Sequence, residues 1–215
     1  MSVRSGKIRV LLVDDHALVR DGVRLMLGTS DDIEVAAEAE NAHQALMLVE
    51  RQDFDVALVD LALPGTNGLE LLKRLRAQKP KLAVLILSMY AEDIYAVRAL
   101  KHGAAGYLTK NSPVATVVAA VRKVAAGGKH VNPALLDKLA NEICSGKKTR
   151  HEVLSERELD VLRLIASGQS LVQIAGSLNL SPKTITTYRA RILEKVGVSS
   201  NAELARYALE NGLLP

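Results

Sequence analysis

Short aliphatic runs recur through the first half of this chain, and each is separated from the next by a stretch with helical periodicity. IRVLLV, IEVAAEAE, DVALV, LAVLIL and AAGYLT are too short for buried helices, and read as strands of a parallel sheet covered on both faces. The intervening segments carry helix signals. ALVRDGVRLMLGT places Leu18, Val23, Leu25 and Met26 at helical spacing and closes near Gly28. NAHQALMLVERQ opens on Asn41 as N-cap, and GLELLKRLRAQ stops before Pro80. AEDIYAVRALKHG ends at Gly103, and SPVATVVAAVRKVAAGG has Ser112 as cap, Pro113 in the first turn and Gly127 as stop. Five strand–helix units in succession predict a doubly wound, three-layer α/β domain, with a flavodoxin-like strand order 2-1-3-4-5 as the expected topology.

The residues at the strand ends are more informative than the strands. Asp14 and Asp15 come directly after the first, Asp60 ends the third, Ser88 ends the fourth and Lys110 comes directly after the fifth. Groups at the carboxyl ends of neighbouring parallel strands converge on one crevice. The order therefore predicts three carboxylates, a hydroxyl and an ammonium at one site. Carboxylates gathered this way repel one another and call for a divalent cation, and an all-oxygen donor set points to Mg²⁺. His16 adjoins the acidic pair, but one histidine beside two carboxylates is more often solvated than a ligand, and it is assigned no role.

The 215-residue length accommodates two modest domains, and 48% hydrophobic residues suffice for real cores. No apolar run approaches the length of a membrane span, and MSVRSGKIRVLLV has no signal-peptide pattern. A single cysteine, Cys144, forms no intrachain disulfide, so a cytoplasmic location is expected. Cys/His metal spacings and glycine-rich phosphate loops are absent from the sequence, and 3% aromatic content argues against base-stacking platforms.

The second half reads differently. After GGKH, NPALLDKLANEIC has the pattern of a short helix, and SGKKTR has a linker's composition. From Glu152 onward the chain reads as all helix. Ser155 and Glu158 form an S-x-x-E capping box before the stripe Leu159, Leu162, Ile165 and Ala166. SLVQIAGSLNLS comes next as a short helix and tight turn. The helix after it is capped by Ser181 with Pro182 and ends at Gly197; NAELARYALENGL is the last and ends at Gly212. Net charge is +4, and between Ser181 and Gly197 Lys183, Arg189, Arg191 and Lys195 face Glu194 alone, a local excess suited to nucleic acid.

LLVDDHALVRDG, VDLALPGTNGLELL, LSMY and GAAGYLTK resemble the receiver domain of two-component response regulators across residues 7 to 126. That resemblance implies Asp60 as phosphoacceptor, with Mg²⁺ held by Asp15, Asp60, Asp14 (mostly through water) and the Ala62 carbonyl. It implies Lys110 and Ser88 as phosphoryl contacts and Tyr107 as a rotameric aromatic that reports the state. LSERELDVLRLIASG, QIAGSLNLSPKTI, RILEKVGV and AELARYALENGLL resemble the LuxR-type helix-turn-helix module of NarL/FixJ-like regulators. The implied recognition helix runs from about Pro182 to Val196 and enters the major groove of double-stranded DNA. Within it Ile185, Ile192 and Val196 share a narrow arc and are expected to be buried, with Tyr188 and Arg189 flanking.

The candidate DNA contacts are Lys183, Thr184, Thr186, Thr187, Ala190, Arg191 and Lys195, with Thr186, Thr187 and Ala190 at the family's base-reading positions. This chain departs from the family at Thr186 and Tyr188, where lysine and histidine are frequent, and at Leu171-Val172-Gln173, where polar residues are usual. The resemblance implies that the last helix pairs across a two-fold axis, with Asn201, Leu204, Ala205 and Ala208 as candidates, while packing inside one subunit is an equally open reading for each of them.

The expected organisation is a receiver at 7–126, a linker at 127–150 and a DNA-binding module at 151–215. The expected protein is a phosphorylation-controlled transcriptional regulator, not an enzyme beyond its own phosphoryl transfer and autodephosphorylation. Its expected partners are a histidine kinase, promoter DNA as symmetric half-sites, a second copy of itself when phosphorylated, and RNA polymerase, with no membrane. A Mg²⁺-dependent phosphohydrolase would share the carboxylates and the fold class, but no insertion supplies a substrate cap.

Overall fold

The computed structural model describes residues 6–89, 94–132, 135–137 and 150–214. The chain divides into two compact units, Met1–Leu139 and Ala140–Pro215. In the first, five parallel strands lie in the order β2-β1-β3-β4-β5. These are β1 (Ile8–Val13), β2 (Ile33–Ala39), β3 (Val56–Asp60), β4 (Ala83–Ser88) and β5 (Gly106–Thr109). The connecting helices are α1 (Ala17–Gly28), α2 (Ala42–Arg51), α3 (Gly68–Gln78), α4 (Ile94–Lys101) and α5 (Val114–Ala125). The expected flavodoxin-like fold is the observed one.

β3 is buried at every residue and β1 from Val10 onward, as the unbroken aliphatic runs require. One face of the sheet, with Val10, Leu12, Val56, Leu58, Leu85 and Leu87, packs against Val23 and Leu27 of α1 and Val117, Val121 and Val124 of α5. The α1 stripe read from the sequence needs correction on this point. Leu18 is 85% and Leu25 72% exposed, while Val23 and Leu27 face the sheet. The sheet lies along the 23/27 line with Val19 packed beside it, so Leu18 and Leu25 project into solvent. Asn41 caps α2 by accepting from the Gln44 amide. Ser112 does not cap α5: its Oγ lies 3.1 Å from the Thr109 Oγ1, and Pro113 occupies the cap position. The proposed start of the fourth helix at Ala91–Asp93 and most of the short helix expected after Val131 lie outside the described residues.

Register determines the functional rim. Val13 pairs with Val59, Asp60 with Leu87, and Ser88 with Thr109, so the carboxyl ends of β1, β3, β4 and β5 finish level with one another. The turn after β3 is tight. A Cβ on Gly68 would collide with the Asp60 carbonyl oxygen and lie 2.9 Å from the Leu61 Cα, so only glycine admits this approach. Asn67 caps α3 by accepting from the Leu69 amide.

Among the described residues, the second unit opens with a 3₁₀ turn at Arg150–Val153 and continues as α6 (Glu156–Ala166), α7 (Leu171–Ser177), α8 (Pro182–Val196) and α9 (Asn201–Glu210). The Ser155/Glu158 capping box forms as expected, and Ser170 with Gln173 makes a second one before α7. Ser181 caps α8, Pro182 opens it, and Gly197 closes it at φ +72°. Ile185, Ile192 and Val196 are fully buried with Leu159, Leu162, Ile174, Leu204, Ala208 and Leu213.

Candidate functional site: an acidic rim and an exposed helix face

The level strand ends bring Asp14, Asp60 and Lys110 together. The Lys110 Nζ lies 2.6 Å from Asp14 Oδ2 and 2.9 Å from Asp60 Oδ2; the Lys110, Asp14 and Asp60 side chains are 8%, 1% and 2% exposed. Burial pushes the Asp60 carboxyl upward, Lys110 opposes that, and the Asp14 charge reinforces it; the net pKa lies above the usual carboxylate range. The Ala62 backbone amide also donates to Asp60. For Lys110 burial works against the charged form, but the bonds to Asp14 and Asp60 outweigh it and its pKa is raised. Two buried anions and one buried cation leave a net negative site.

Asp15 is more exposed, and its Oδ1 lies 2.9 Å from His16 Nδ1. The His16 amide donates to Asp14 Oδ1 at 2.9 Å, and its Nδ1 lies 3.2 Å from the same oxygen. Asp14, Asp15, His16 and Asp60 each present one ligand atom, all within 4.8 Å of one another. The donor set fits a hard divalent cation, with His16 as a neighbour that spacing alone did not single out. Ser88 and Tyr107 are buried on β4 and β5, with Ser88 at this rim.

α8 shows the expected facing. Lys183, Thr186, Thr187, Ala190, Arg191 and Glu194 are exposed opposite the buried Ile185, Ile192 and Val196. Thr184 turns toward the cap, its Oγ1 2.8 Å from the Ser181 Oγ. Two cations of this helix bind inside the module. Lys195 Nζ lies 2.6 Å from the Glu158 Oε2, a carboxylate whose side chain is 3% exposed. Arg189 Nε donates to Asn201 Oδ1 at 2.6 Å. Burial pushes Glu158 upward, but Lys195 and the Ser155 amide and hydroxyl outweigh it and hold its pKa low. Leu204 and Ala208, expected on a two-fold face, are wholly buried in the module's own core; the one-sided stripe of α9 serves α6 first. Asn201 is exposed and Ala205 half-buried.

Residues 10–122 match the response regulator receiver domain, and residues 152–208 match bacterial regulatory proteins of the luxR family. The chain is a two-component response regulator. Its GacA relative from Pseudomonas viridiflava is 38% identical over 96% of this chain and 98% of that protein. UvrY from Escherichia coli is 35% identical over 96% of this chain and 95% of that one. Among solved structures, the response regulator ChrA of a heme-sensing two-component system aligns at TM-score 0.53 with 32% identity, covering 97% and 99% of the two chains. RcsB in a complex with DNA aligns at TM-score 0.58 with 27% identity, covering 94% and 98%. The response regulator thus carries a receiver and a LuxR-type DNA-binding domain of the NarL/FixJ kind, the architecture of a transcription regulator. Among its described residues no helix is long and apolar enough to cross a membrane.

Proposed function

We propose that this regulator takes a phosphoryl group on Asp60 from a histidine kinase and thereby changes how its C-terminal module binds promoter DNA. The observation that carries the reading is the burial of Asp60 against Asp14, with Lys110 bonded to both. A buried carboxylate kept near a fixed cation is a nucleophile placed for an anionic donor. One oxygen of Asp60 attacks phosphorus, the bond to the donor histidine nitrogen breaks, and an acyl phosphate remains. Asp14, Asp15, Asp60 and the Ala62 carbonyl would hold Mg²⁺, which supplies charge neutralisation between the two anions. Lys110 follows the phosphoryl oxygens, and the Ser88 hydroxyl donates to one of them. Both groups then leave their resting positions, which biases the Ser88 loop and Tyr107 toward a second arrangement. Water attack on the same acyl phosphate returns the resting state.

In this reading residues 7–126 receive the signal, 127–150 link, and 151–215 act on the duplex. Lys183 and Arg191 contact the phosphate backbone, and Thr186, Thr187 and Ala190 face the bases. The phosphorylated form binds two-fold related half-sites as a homodimer through α9, with the exposed Asn201 and the half-buried Ala205 as contacts, and meets RNA polymerase at the promoter. The protein works in the cytoplasm, where the kinase and the DNA are. The test is phosphate uptake from acetyl phosphate with Mg²⁺. Asp60→Asn is expected to abolish the acid-labile label, and undiminished labelling would refute the assignment of Asp60.

A further inference from the structure

The outward face of α8 carries three methyl-bearing residues, Thr186, Thr187 and Ala190, beside Lys183, Arg191 and Glu194. Taking Thr186 as origin, Ala190 and Thr187 follow at about 40° and 100° around the helix, on the side away from the Ile185/Ile192/Val196 seam. All three are exposed. Thr186 Oγ1 donates to the Pro182 carbonyl at 3.0 Å, and Thr187 Oγ1 to the Lys183 carbonyl at 3.1 Å. Each hydroxyl proton is therefore spent on the helix's own backbone, and the Cγ2 methyl is the other branch at each Cβ. Ala190 adds its Cβ. Arginine reading guanine needs two donors, and asparagine or glutamine reading adenine needs a donor and an acceptor; none of these positions supplies such a bidentate pair. The major-groove group that matches a methyl surface is the thymine 5-methyl.

We propose that Thr186, Thr187 and Ala190 read thymine 5-methyl groups by apolar contact, so that the regulator's half-site holds thymines whose replacement by uracil weakens binding. The inference rests on the reading that α8 enters the major groove, and it adds the chemical class recognised there. Lys183 lies on the same face at the amino end and holds the helix against the backbone. Specificity then comes from contact with methyls, and hydrogen-bond readout is left to groups outside this patch.

The test uses the full-length protein with acetyl phosphate and Mg²⁺. A random-sequence duplex pool made with thymidine is enriched for binding. Each thymine of the enriched half-site is then replaced by deoxyuridine, and affinity is measured by fluorescence anisotropy. Burial of one methyl corresponds to about a fourfold change in affinity, so each contacted thymine is expected to show about that loss. Thr186→Ser and Thr187→Ser keep the hydroxyl and delete the methyl; they are expected to bring the thymine-to-uracil ratio toward unity at one position each. Thr187→Val keeps a methyl and is expected to retain the ratio. Equal affinity for thymine and uracil duplexes from a pool that does enrich would overturn methyl reading and leave duplex binding standing. So would a ratio that survives serine and vanishes with valine. A pool that never enriches would overturn duplex recognition, and methyl reading with it.

Discussion

Replacing Lys110 with methionine tests whether the receiver's acidic rim is an electrostatic triad. The ammonium lies 2.6 and 2.9 Å from two carboxylates that are 1% and 2% exposed, so Lys110→Met leaves two buried anions without their counter-charge. Removing one partner of a buried ion pair costs about 3–5 kcal/mol. The domain has an alternative, which is to protonate Asp60. From an unfolded pKa of about 3.9, keeping one aspartate neutral at pH 7 costs about 4 kcal/mol, at about 1.36 kcal/mol per pH unit. The two routes agree, and the receiver is expected to lose about 3–4 kcal/mol at pH 7 without divalent ions. Their pH dependence differs. If Asp60 takes up a proton, the folded variant binds more protons than the unfolded chain between about pH 4 and its raised pKa. Stability in that window falls as pH rises, so the loss should shrink by about 2 kcal/mol on going from pH 7 to 5.5. The assay is a urea titration of the full chain in EDTA at both pH values, with hydrogen exchange followed in β1 and β3 peptides. Mg²⁺ should restore the variant more than it stabilises the parent, because it replaces the missing cation. An unchanged midpoint at pH 7 would refute the triad, and a loss that is the same at both pH values would refute proton uptake by Asp60.

Other perturbations separate the remaining roles. Gly68→Ala drives a Cβ into the Asp60 carbonyl oxygen; it should destabilise the receiver by about 3 kcal/mol and impair phosphate uptake, as read by urea midpoint and acetyl phosphate labelling. Glu158→Ala removes both a cap and the partner of Lys195, so about 2 kcal/mol should be lost from the helical module in hydrogen exchange of α6. Because the Glu158 pKa is lowered, this contribution is present above the unfolded value and disappears as pH falls through the folded one, so parent and variant should converge in acid. Lys183→Ala and Arg191→Ala should each reduce the slope of log affinity against log salt by about 1. Lys195→Ala should instead register chiefly as lost stability. Leu18→Ser and Leu25→Ser should change the unfolding free energy read from urea titration by less than about 0.5 kcal/mol, as their exposure requires.

Much of the fold was legible because each local signal has a local cause. Asn41, the Ser155/Glu158 box and Ser181 with Pro182 satisfy orphan amides within a few residues of themselves, so a short window contains the whole interaction. Ser112 failed as a cap because proline already occupies that position and Thr109 lies within reach of its hydroxyl. The α1 stripe failed for a different reason. Leu18 and Leu25 satisfy helical spacing, but which arc meets the sheet depends on where the sheet lies. The same limit applied to Leu204 and Ala208, whose small, apolar side suits a neighbouring helix inside the module as well as one across a two-fold axis.

From its sequence alone this protein is committed to alternating strands and helices, to acids, a hydroxyl and a lysine at the strand ends, and to a capped recognition-type helix with Ile185, Ile192 and Val196 on one side. Those properties arise from periodicity and from groups that act within a turn of themselves. Only the tertiary structure decided that Lys110 joins Asp14 to Asp60, that His16 lies against Asp15, and that Lys195 and Arg189 are bound by Glu158 and Asn201. Each of these is a Coulombic or hydrogen-bonding choice between partners that burial and packing set against one another. Such a choice depends on distances of about 3 Å that come into being only when the register and packing are complete.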